Sequence, residues 1–487
     1  MMDIQFIRQN PDLLQAVARQ KGIDVDIARL VLVDAARRER LNQLERLRQE
    51  RNQASKAIAQ LAQNGLVDGL EASQLKDQVR VVNAKLAEVE QLWAAAQQEY
   101  DALMVLVPNV VSQDTPIGTS DADNVELRRV GDLPQRSFNP DHVAIGERMV
   151  IPDHVAIGER MVIPDHVAIG ERMVIPDHVA IGERMVIPDH VAIGERMVIP
   201  DHVAIGERLG VLDFPRGVKV AGNRGYFLKG AGLYLHRAVQ QLAVDLLSER
   251  GFTVMDVPVM VREEALSHTG FFPLGENQTY QFADDDLWLV GTAEVPLVSY
   301  FSGELVDVSQ PIRVAGVSNC FRREVGSAGR DIRGLYRVHQ FAKVEQVILC
   351  EADIDVAEGL LGEITQNAED LLQALELPYR VVAVCTGDMS QKNYKQFDIE
   401  TWMPSRNSYG ETHSSSLLLD FQARRANIRY RDKNGQLQYC YTLNNTAVAS
   451  PRILIPLLEV HQQPDGSVRV PAALQRYMNG VTELKPV

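Results

Sequence analysis

Cysteine is scarce in this chain, and the cysteines present are far apart. Cys320, Cys350, Cys385 and Cys440 form no CxxC pair, which argues against a zinc site or a disulfide framework and indicates buried thiols in a reducing compartment. No apolar run approaches the roughly 20 residues that a membrane-spanning helix needs. The start, MMDIQFIRQN, lacks the charged-then-apolar layout of a secretory signal. We therefore expect a cytoplasmic protein with no membrane partner.

Basic residues are also in deficit, with 50 Lys and Arg against 65 Asp and Glu and a net charge of -15. This balance argues against a protein that coats nucleic acid generally, so any RNA contact has to come from a local basic patch. The 487 residues, 45% hydrophobic and 24% charged, suit two or three folded domains.

A twelve-residue unit, DHVAIGERMVIP, occurs five times without substitution between Asp141 and Pro200, and a partial sixth copy begins at Asp201. Natural solenoid repeats are usually longer and drift in sequence. Identity over sixty residues therefore indicates a recent duplication or an error in sequencing or assembly. The copies contain six regularly spaced histidines, which we interpret as one incidental residue copied six times, and we assign the insert no function. These histidines are His142, His154, His166, His178, His190 and His202.

Two long helical patterns with almost no proline lie between Ile27 and Leu103. Their apolar positions alternate steps of four and three, the period of a coiled-coil seam. The segment from Asn64 to Gly69 supplies a turn, so we expect an antiparallel helical hairpin. The predicted seam contains Leu44, Leu47, Arg51, Ala54, Ile58 and Leu61 in the first helix, and Leu75, Val79, Val82, Leu86, Val89, Trp93, Ala96, Tyr100 and Leu103 in the second.

The first of these helices carries a basic stripe. Between Arg37 and Lys56, seven basic residues stand against three acidic ones. Such a stripe can contact nucleic-acid phosphates independently of the base sequence, or its charges can simply keep one helix face exposed to water. The residues alone leave both interpretations open.

Phe321 to Glu345 reads FRREVGSAGRDIRGLYRVHQFAKVE and contains five arginines and three glycines. Arginine meets phosphate through two parallel hydrogen bonds, so this cluster suits a triphosphate. Strand-like runs from Ile312 to Cys320 and from Tyr336 to Cys350 flank the glycines, which predicts a long antiparallel hairpin. The arginines are Arg322, Arg323, Arg330, Arg333 and Arg337.

Four further segments complete the pattern. A helix from Tyr234 to Glu249 is predicted to precede a strand from Phe252 to Val257. Thr292 and Glu294 are two residues apart, which on a strand would place both side chains on one face. Glu411-Thr-His-Ser414 is predicted as a loop leading into a strand. The segment from Thr442 to Arg452 is predicted as a strand leading into a helix.

The helix and strand from Tyr234 to Val257, the run from Phe321 to Glu345 and the segment from Thr442 to Arg452 resemble motifs 1, 2 and 3, respectively, of the class II aminoacyl-tRNA synthetases, and in their details those of the type-1 seryl-tRNA synthetases. The resemblance implies an α+β fold. Residues 1–112 would form a tRNA-binding domain with an antiparallel coiled-coil arm. Residues 113–220 would be a linker that contains the insert 141–200, and residues 221–487 a catalytic domain built on an antiparallel sheet flanked by helices. Motif 1 would build a homodimer interface.

The implied activity is ATP-dependent ligation of L-serine to tRNA(Ser) through a seryl-adenylate, and also to tRNA(Sec) where it is present. By the same resemblance, catalytic roles fall to Arg322, Glu324 and Arg452, and the serine pocket comprises Thr292, Ala293, Glu294, Arg322, Glu345 and Thr446. ATP contacts fall to Arg322, Arg323, Glu324, Val338, Phe341, Glu411, Thr412, His413, Ser414 and Arg452. Mg²⁺ would bind Glu411 and Ser414, and tRNA would bind Arg37, Arg38, Arg48 and Arg51.

The implied roles agree with simple chemistry. Arg322 and Arg452 would bind phosphates, Phe341 would stack on adenine, and Glu345 would bind the serine ammonium. His413 is interpreted as structural, because the carboxylate of serine is itself the nucleophile. Thr446 stands where many members carry serine, and a threonine hydroxyl can make the same hydrogen bond, while Ala447 and Ser450-Pro451 replace glycines. The alternatives are an amino acid:carrier-protein ligase and a non-catalytic synthetase-like RNA-binding protein.

Overall fold

The structure, a computed structural model, describes residues 2–64, 69–134, 199–326 and 333–487. Most of the predicted helical turn, the insert up to residue 198, and Arg330 at the tip of motif 2 lie outside the described residues. Within those ranges, no helix combines the length and the apolar character needed to span a membrane.

Four helices form the N-terminal part: α1 (Ile4–Gln9), α2 (Pro11–Gln20), α3 (Ile27–Gln63) and α4 (Leu70–Met104). Pro11 lies in the first turn of α2, where its missing N–H costs no hydrogen bond. Asp26 caps α3 by accepting a hydrogen bond from the backbone N–H of Arg29. The bases of the two long helices pack on α1 and α2 around a buried apolar cluster that includes Ile7, Leu14, Ala18, Ile27, Leu30, Met104 and Val107.

Helices α3 and α4 form the expected antiparallel hairpin. Ion pairs join Arg29 to Glu99 at 2.6 Å and Arg48 to Glu90 at 3.0 Å, so the partner numbers fall as the α3 numbers rise. The seam is buried at the predicted apolar positions, which confirms the coiled-coil interpretation of the sequence. Its core comprises Leu44, Val82 and Leu86, flanked by Leu47, Val89 and Trp93.

The remaining helices are α5 (His202–Arg208), α6 (Phe214–Ala221), α7 (Ala231–Glu249), α8 (Glu263–His268), α9 (Glu294–Ser299), α10 (Ile354–Ala374), α11 (Phe421–Ala426), α12 (Leu454–Val460) and α13 (Ala472–Gln475). The strands are β1 (Val125–Val130), β2 (Leu212–Asp213), β3 (Phe227–Leu228), β4 (Thr253–Asp256), β5 (Met260–Arg262), β6 (Leu287–Leu289), β7 (Ile312–Phe321), β8 (Gln340–Cys350), β9 (Tyr379–Ala383), β10 (Lys395–Met403), β11 (Ser408–Leu417), β12 (Arg429–Arg431), β13 (Leu437–Tyr439), β14 (Tyr441–Ser450), β15 (Val468–Arg469) and β16 (Glu483–Leu484).

An eight-stranded sheet in the order β1-β9-β10-β11-β14-β8-β7-β4 is the frame of the catalytic part. Its pairs are antiparallel except for the edge pair of β4 with β7, which is parallel. Helices α7 and α10 cover one face, where their apolar side chains share a core with those of the sheet. Because side chains alternate along a strand, the opposite face carries polar residues such as Lys343 and Glu345.

Three local predictions were wrong in detail. Strand β8 begins at Gln340 rather than Tyr336, because the preceding carbonyls bond elsewhere: that of Tyr336 accepts from Arg452 Nε at 3.1 Å, and that of Arg337 accepts from Arg224 Nη1 at 2.9 Å. Glu411 and Ser414 lie within β11 and not in a loop before it. Thr292 and Glu294 do not share a strand: β6 ends at Leu289, and Glu294 begins α9, with its N–H bonded to the Thr292 hydroxyl.

Candidate active site

A cleft on the polar face of the sheet gathers residues from motifs 2 and 3 and from β11. The space between its walls, counted together with the open solvent at its mouth, is about 510 Å³. Its walls include Arg322, Glu324, Tyr336, Val338, Phe341, Lys343, Glu411, Thr412, Thr446 and Arg452. Segments more than a hundred residues apart in sequence therefore meet at one site.

Motif 2 provides a guanidinium group and an aromatic ring side by side. The Arg322 guanidinium lies 5.3 Å from the centroid of the Phe341 ring, and its Nη2 donates to the carbonyl of Gly291 at 3.3 Å. Glu324 has a φ of +53° and faces Arg337 at 3.5 Å. An adenine ring placed against Phe341 would bring its phosphates toward Arg322.

Two β-bulges explain how residues at odd spacing share the cleft. In a regular strand Glu411 and Ser414, three residues apart, would point to opposite faces. The register between β10 and β11 shifts, so that Glu400 pairs with Glu411 and Asp398 pairs with Ser414, which leaves Thr412 as the extra residue. Directly paired residues share a face, so both proposed metal ligands point the same way.

The second bulge lies in β14, the next strand. Thr446 pairs with Glu345 and Val448 with Val344, so Ala447 is the extra residue. Thr446 and Ala449 consequently both line the cleft. The bulge brings motif 3 into position beside motif 2 although alanine stands where the family commonly has glycine.

Arg452 follows β14 directly and closes one end of the cleft. Its Nε donates to the Tyr336 carbonyl at 3.1 Å, and its guanidinium lies 4.5 Å from the centroid of the Tyr336 ring. Its Nη1 also lies 3.4 Å from a carboxylate oxygen of Glu411. These contacts hold the guanidinium beside the proposed metal ligands.

His413 does not reach the cleft. Its side chain is buried, and Nδ1 lies 2.8 Å from the Thr412 hydroxyl at the bulge. Burial lowers the pKa of His413 to about 3, so the ring is neutral near pH 7. This environment favours the structural interpretation over a general base and over direct contact with ATP. Arg323 is likewise not among the cleft residues; its backbone N–H bonds to Gln278.

A buried ion pair forms one side of the proposed serine pocket. Lys343 Nζ lies 2.5 Å from Glu345 Oε2, and both side chains are less than a tenth exposed. The Thr446 hydroxyl lies 3.4 Å from the same carboxylate oxygen. Burial raises the pKa of Glu345, while the charge of Lys343 acts in the opposite direction.

Glu294 provides a second buried carboxylate. Its Oε1 accepts hydrogen bonds from Lys392 Nζ at 2.5 Å, Gln422 Nε2 at 2.7 Å and Asn444 Nδ2 at 2.8 Å. Thr292 lies beside it, with its hydroxyl bonded to the Glu294 N–H. Ala293 packs in an apolar cluster, so its side chain contributes packing rather than a polar contact.

The interpretation of His202 as incidental is wrong. This residue of the last copy is buried, and its Nε2 accepts a hydrogen bond from the Leu335 N–H at 3.1 Å. Nδ1 therefore carries the ring proton and faces the fully buried Glu459 at 3.1 Å. Gly334 approaches so closely that a Cβ there would lie 2.4 Å from Nε2. His202 thus anchors the end of motif 2 next to Tyr336.

The four arm arginines do not have equivalent surroundings. Arg37 is only 22% exposed and bonds to Asp34 and Gln97 within the hairpin. Arg38 and Arg48 are about half exposed, although each also pairs with an acidic residue. Arg37, Arg38 and Arg8 converge on Asp34, and their hydrogen bonds and charges hold its pKa below its ordinary value despite burial. Arg38 and Arg48 are therefore better placed for phosphate contact than Arg37, whereas Arg51 is half-buried like Arg37.

Sequence reasoning missed several residues of this site. Lys343 had a usable signal, since it precedes Glu345 by two positions on a strand and therefore shares its face. Lys392, Asn444 and Tyr336 had none, because only tertiary packing brings them to Glu294 and Arg452.

The antiparallel sheet, the motif 2 hairpin and the motif 3 arginine define a class II aminoacyl-tRNA synthetase. The family described as tRNA synthetase class II core domain (G, H, P, S and T) matches residues 279–461, and the seryl-tRNA synthetase N-terminal domain matches residues 1–111. The chain belongs to the seryl-tRNA synthetase family.

Similar proteins agree along the whole chain. The serine–tRNA ligase of Deinococcus radiodurans is 40% identical over 485 residues, covering 99% of this chain and 98% of its own. That of Mycolicibacterium smegmatis is 38% identical over 484 residues, covering 98% of both. The solved structure of seryl-tRNA synthetase from Pyrococcus horikoshii complexed with ATP matches with a TM-score of 0.79 and 33% identity, covering 100% of both chains. The cytoplasmic serine-tRNA ligase of Naegleria fowleri in complex with AMP matches with a TM-score of 0.76 and 26% identity, covering 100% of this chain and 99% of the other.

Proposed function

We propose that this protein ligates L-serine to tRNA(Ser), and to tRNA(Sec) where present, through a seryl-adenylate. The observation that carries the proposal is a phosphate-binding cleft, with Arg322, Phe341 and Arg452 among its walls, beside two buried carboxylate–lysine pairs. Lys343 connects the two parts, because it lines the cleft and pairs with Glu345, and Glu345 in turn interacts electrostatically with Glu294 and Lys392.

In the first step the serine carboxylate attacks the α-phosphorus of ATP and pyrophosphate leaves. Glu345 and Glu294 hold the ammonium, and the Thr446 hydroxyl meets the serine hydroxyl. Arg322 stabilises the charge that develops at the α-phosphate, and Arg452 binds the γ-phosphate. Glu324 lines the ATP-binding side of the site. No protein base is required, because the nucleophile is already ionised. Positioning and charge neutralisation supply most of the rate acceleration.

Mg²⁺ fits the pair of oxygen donors at Glu411 and Ser414. The bulge at Thr412 turns both side chains to one face, and Arg452 adjoins Glu411. Among the described residues no group of three or more His, Cys, Asp or Glu side chains forms a metal site. A two-ligand site suits Mg²⁺, which keeps several waters and takes its remaining ligands from phosphates. When bound, the ion would neutralise phosphate charge.

In the second step the terminal ribose hydroxyl of the tRNA takes the seryl group from the adenylate. The helical hairpin would bind the tRNA through its arginines, of which Arg38 and Arg48 are exposed and Arg37 and Arg51 are half-buried. Motif 1, formed by α7 and β4, would contribute a homodimer interface in the cytoplasm. The exposed Leu233 and Tyr234 near the start of α7 are consistent with a covered surface there.

Charging assays separate this proposal from its rivals. The purified protein, ATP and labelled serine should aminoacylate tRNA(Ser) transcripts. An amino acid:carrier-protein ligase would form an adenylate without charging tRNA, and a non-catalytic RNA-binding protein would do neither. Retention of Arg322 and Arg452 in one cleft, with Lys343 of that cleft paired to the buried Glu345, argues against the non-catalytic alternative.

A further inference from the structure

The segment of residues 390–393, between β9 and β10, contacts both the N-terminal domain and the proposed serine pocket. We name it the bridging segment. Its backbone faces the base of the arm, while the side chain of Lys392 reaches Glu294.

Lys21, at the end of α2, holds the backbone of the bridging segment. Its Nζ donates to the carbonyls of Asn393 at 2.6 Å and of Ser390 and Gln391 at 3.3 Å. The side chain is almost fully buried, and burial lowers the pKa of Lys21 to about 7. A buried amino group that contacts three backbone carbonyls fixes the chain path tightly.

A second set of contacts comes from the segment that follows α4. The Asn109 side chain donates to the Lys392 carbonyl at 3.0 Å, and its backbone N–H donates to the Gln391 carbonyl at 2.9 Å. The Gln391 side chain donates in return to the Val105 carbonyl at 2.7 Å. The peptide that carries Lys392 is therefore held from the N-terminal domain on two sides.

Lys392 is the cation paired with Glu294. Its side chain is 11% exposed and that of Glu294 is 5% exposed, with Nζ 2.5 Å from Oε1. The ammonium also lies 4.4 Å from the centroid of the Phe271 ring. A buried carboxylate that loses its cation becomes costly and tends to move or take up a proton.

We propose that Lys392 is a positioning residue for the serine-binding carboxylate and that the N-terminal domain sets its position through Lys21 and Asn109. Lys392, Gln422 and Asn444 all bond to Oε1, so the ammonium of serine meets Oε2 of a carboxylate whose orientation is fixed. The arm thus contributes to serine binding through its base, in addition to contacting tRNA. This inference rests on the proposed assignment of Glu294 to serine.

The test is serine-dependent exchange of pyrophosphate into ATP by the full-length protein without tRNA. Lys392→Met should raise the KM for serine about tenfold or more, with the KM for ATP within about twofold, because only the serine carboxylate loses its partner. Lys392→Arg should recover part of the loss. If Lys392→Met does not fold, Lys392→Gln takes its place in the same assay, because glutamine keeps a hydrogen-bond donor. Unchanged serine KM in the variants that fold would overturn the proposal.

Lys21→Met tests the contribution of the N-terminal domain, since Lys21 makes its contacts with the backbone and not in the cleft. It should raise the serine KM measurably while sparing the ATP KM; equal loss for both substrates, or no change, would overturn this part. Lys395→Met is the matched control, because Lys395 lies nearby but pairs with Asp114 and Glu358.

Glu294→Gln distinguishes the assignment of Glu294 to serine binding from the positioning role of Lys392. If Glu294→Gln leaves the serine KM unchanged, the assignment of Glu294 itself is wrong. If it raises the KM while Lys392→Met does not, only the positioning role is overturned.

Discussion

Glu345→Gln is the substitution that most sharply separates serine binding from ATP binding. The carboxylate is 2% exposed and lies on the same face of β8 as Lys343, so the ammonium of serine, bound as proposed, would meet it in a desolvated environment. Removing one partner of a buried charge pair costs about 2 to 5 kcal/mol. At 1.4 kcal/mol per factor of ten, the serine KM should rise, or kcat/KM for serine should fall, by about 30-fold to about 4,000-fold.

The neighbouring lysine argues for the upper part of that range. In the parent protein Glu345 neutralises Lys343 at 2.5 Å. In the variant Lys343 remains in the pocket without that carboxylate and repels the ammonium of serine. The assay is pyrophosphate exchange with varied serine, together with ATP binding measured by calorimetry in the absence of serine. ATP affinity should stay within about threefold, because Glu345 lies four residues along β8 from Phe341, roughly 13 Å, and is not among the residues that line the cleft beside Arg322 and Phe341.

Glu363→Gln is a suitable control, since Glu363 pairs with Arg313 outside the cleft and the chemical change is the same. Serine kinetics in Glu345→Gln that match those of the parent and of the control would refute the assignment.

Three further predictions follow from the arm, the insert and the linker. Replacing residues 41–94 by a short glycine–serine turn keeps the apolar core around Tyr100 and Leu103. Pyrophosphate exchange should persist in this variant, while its rate of tRNA charging should fall by about a hundredfold. Charging at the rate of the parent protein would show that the arm has another role. Excising residues 141–200 should leave activity, dimerisation and melting temperature unchanged, since closure entropy grows by only about 0.6 kcal/mol per doubling of a loop; a marked loss of activity or stability would show that the repeat matters. His202→Ala should lower the free energy of unfolding by about 1 to 3 kcal/mol and raise the ATP KM, whereas His190→Ala, at the same position of the preceding copy, should change neither.

The hairpin and the motif 2 strands could be predicted because their signals are local. The seam positions of α3 and α4 follow a period set by helix geometry, and the structure buries Leu44, Val82 and Leu86 as that period requires. The glycines of motif 2 and its flanking β-branched runs likewise specify a hairpin between β7 and β8.

The site geometry could not be predicted in the same way. Strand register is a tertiary property, so the bulges at Thr412 and Ala447 that bring Glu411, Ser414 and Thr446 to one face leave no sequence mark. The short helix α9 replaced the expected strand because the Thr292 hydroxyl accepts a bond from the N–H of Glu294. Lys392 reaches Glu294 across about a hundred residues of sequence, and only the fold reveals that pair.

The central claim, that this cleft activates serine with ATP, is tested most directly by exchange of labelled pyrophosphate into ATP by the unmodified protein without tRNA. The account predicts exchange that depends on L-serine and is lost when serine is omitted or replaced by alanine, which lacks the hydroxyl that meets Thr446. Absence of serine-dependent exchange in folded protein, or equal exchange with alanine, would contradict it.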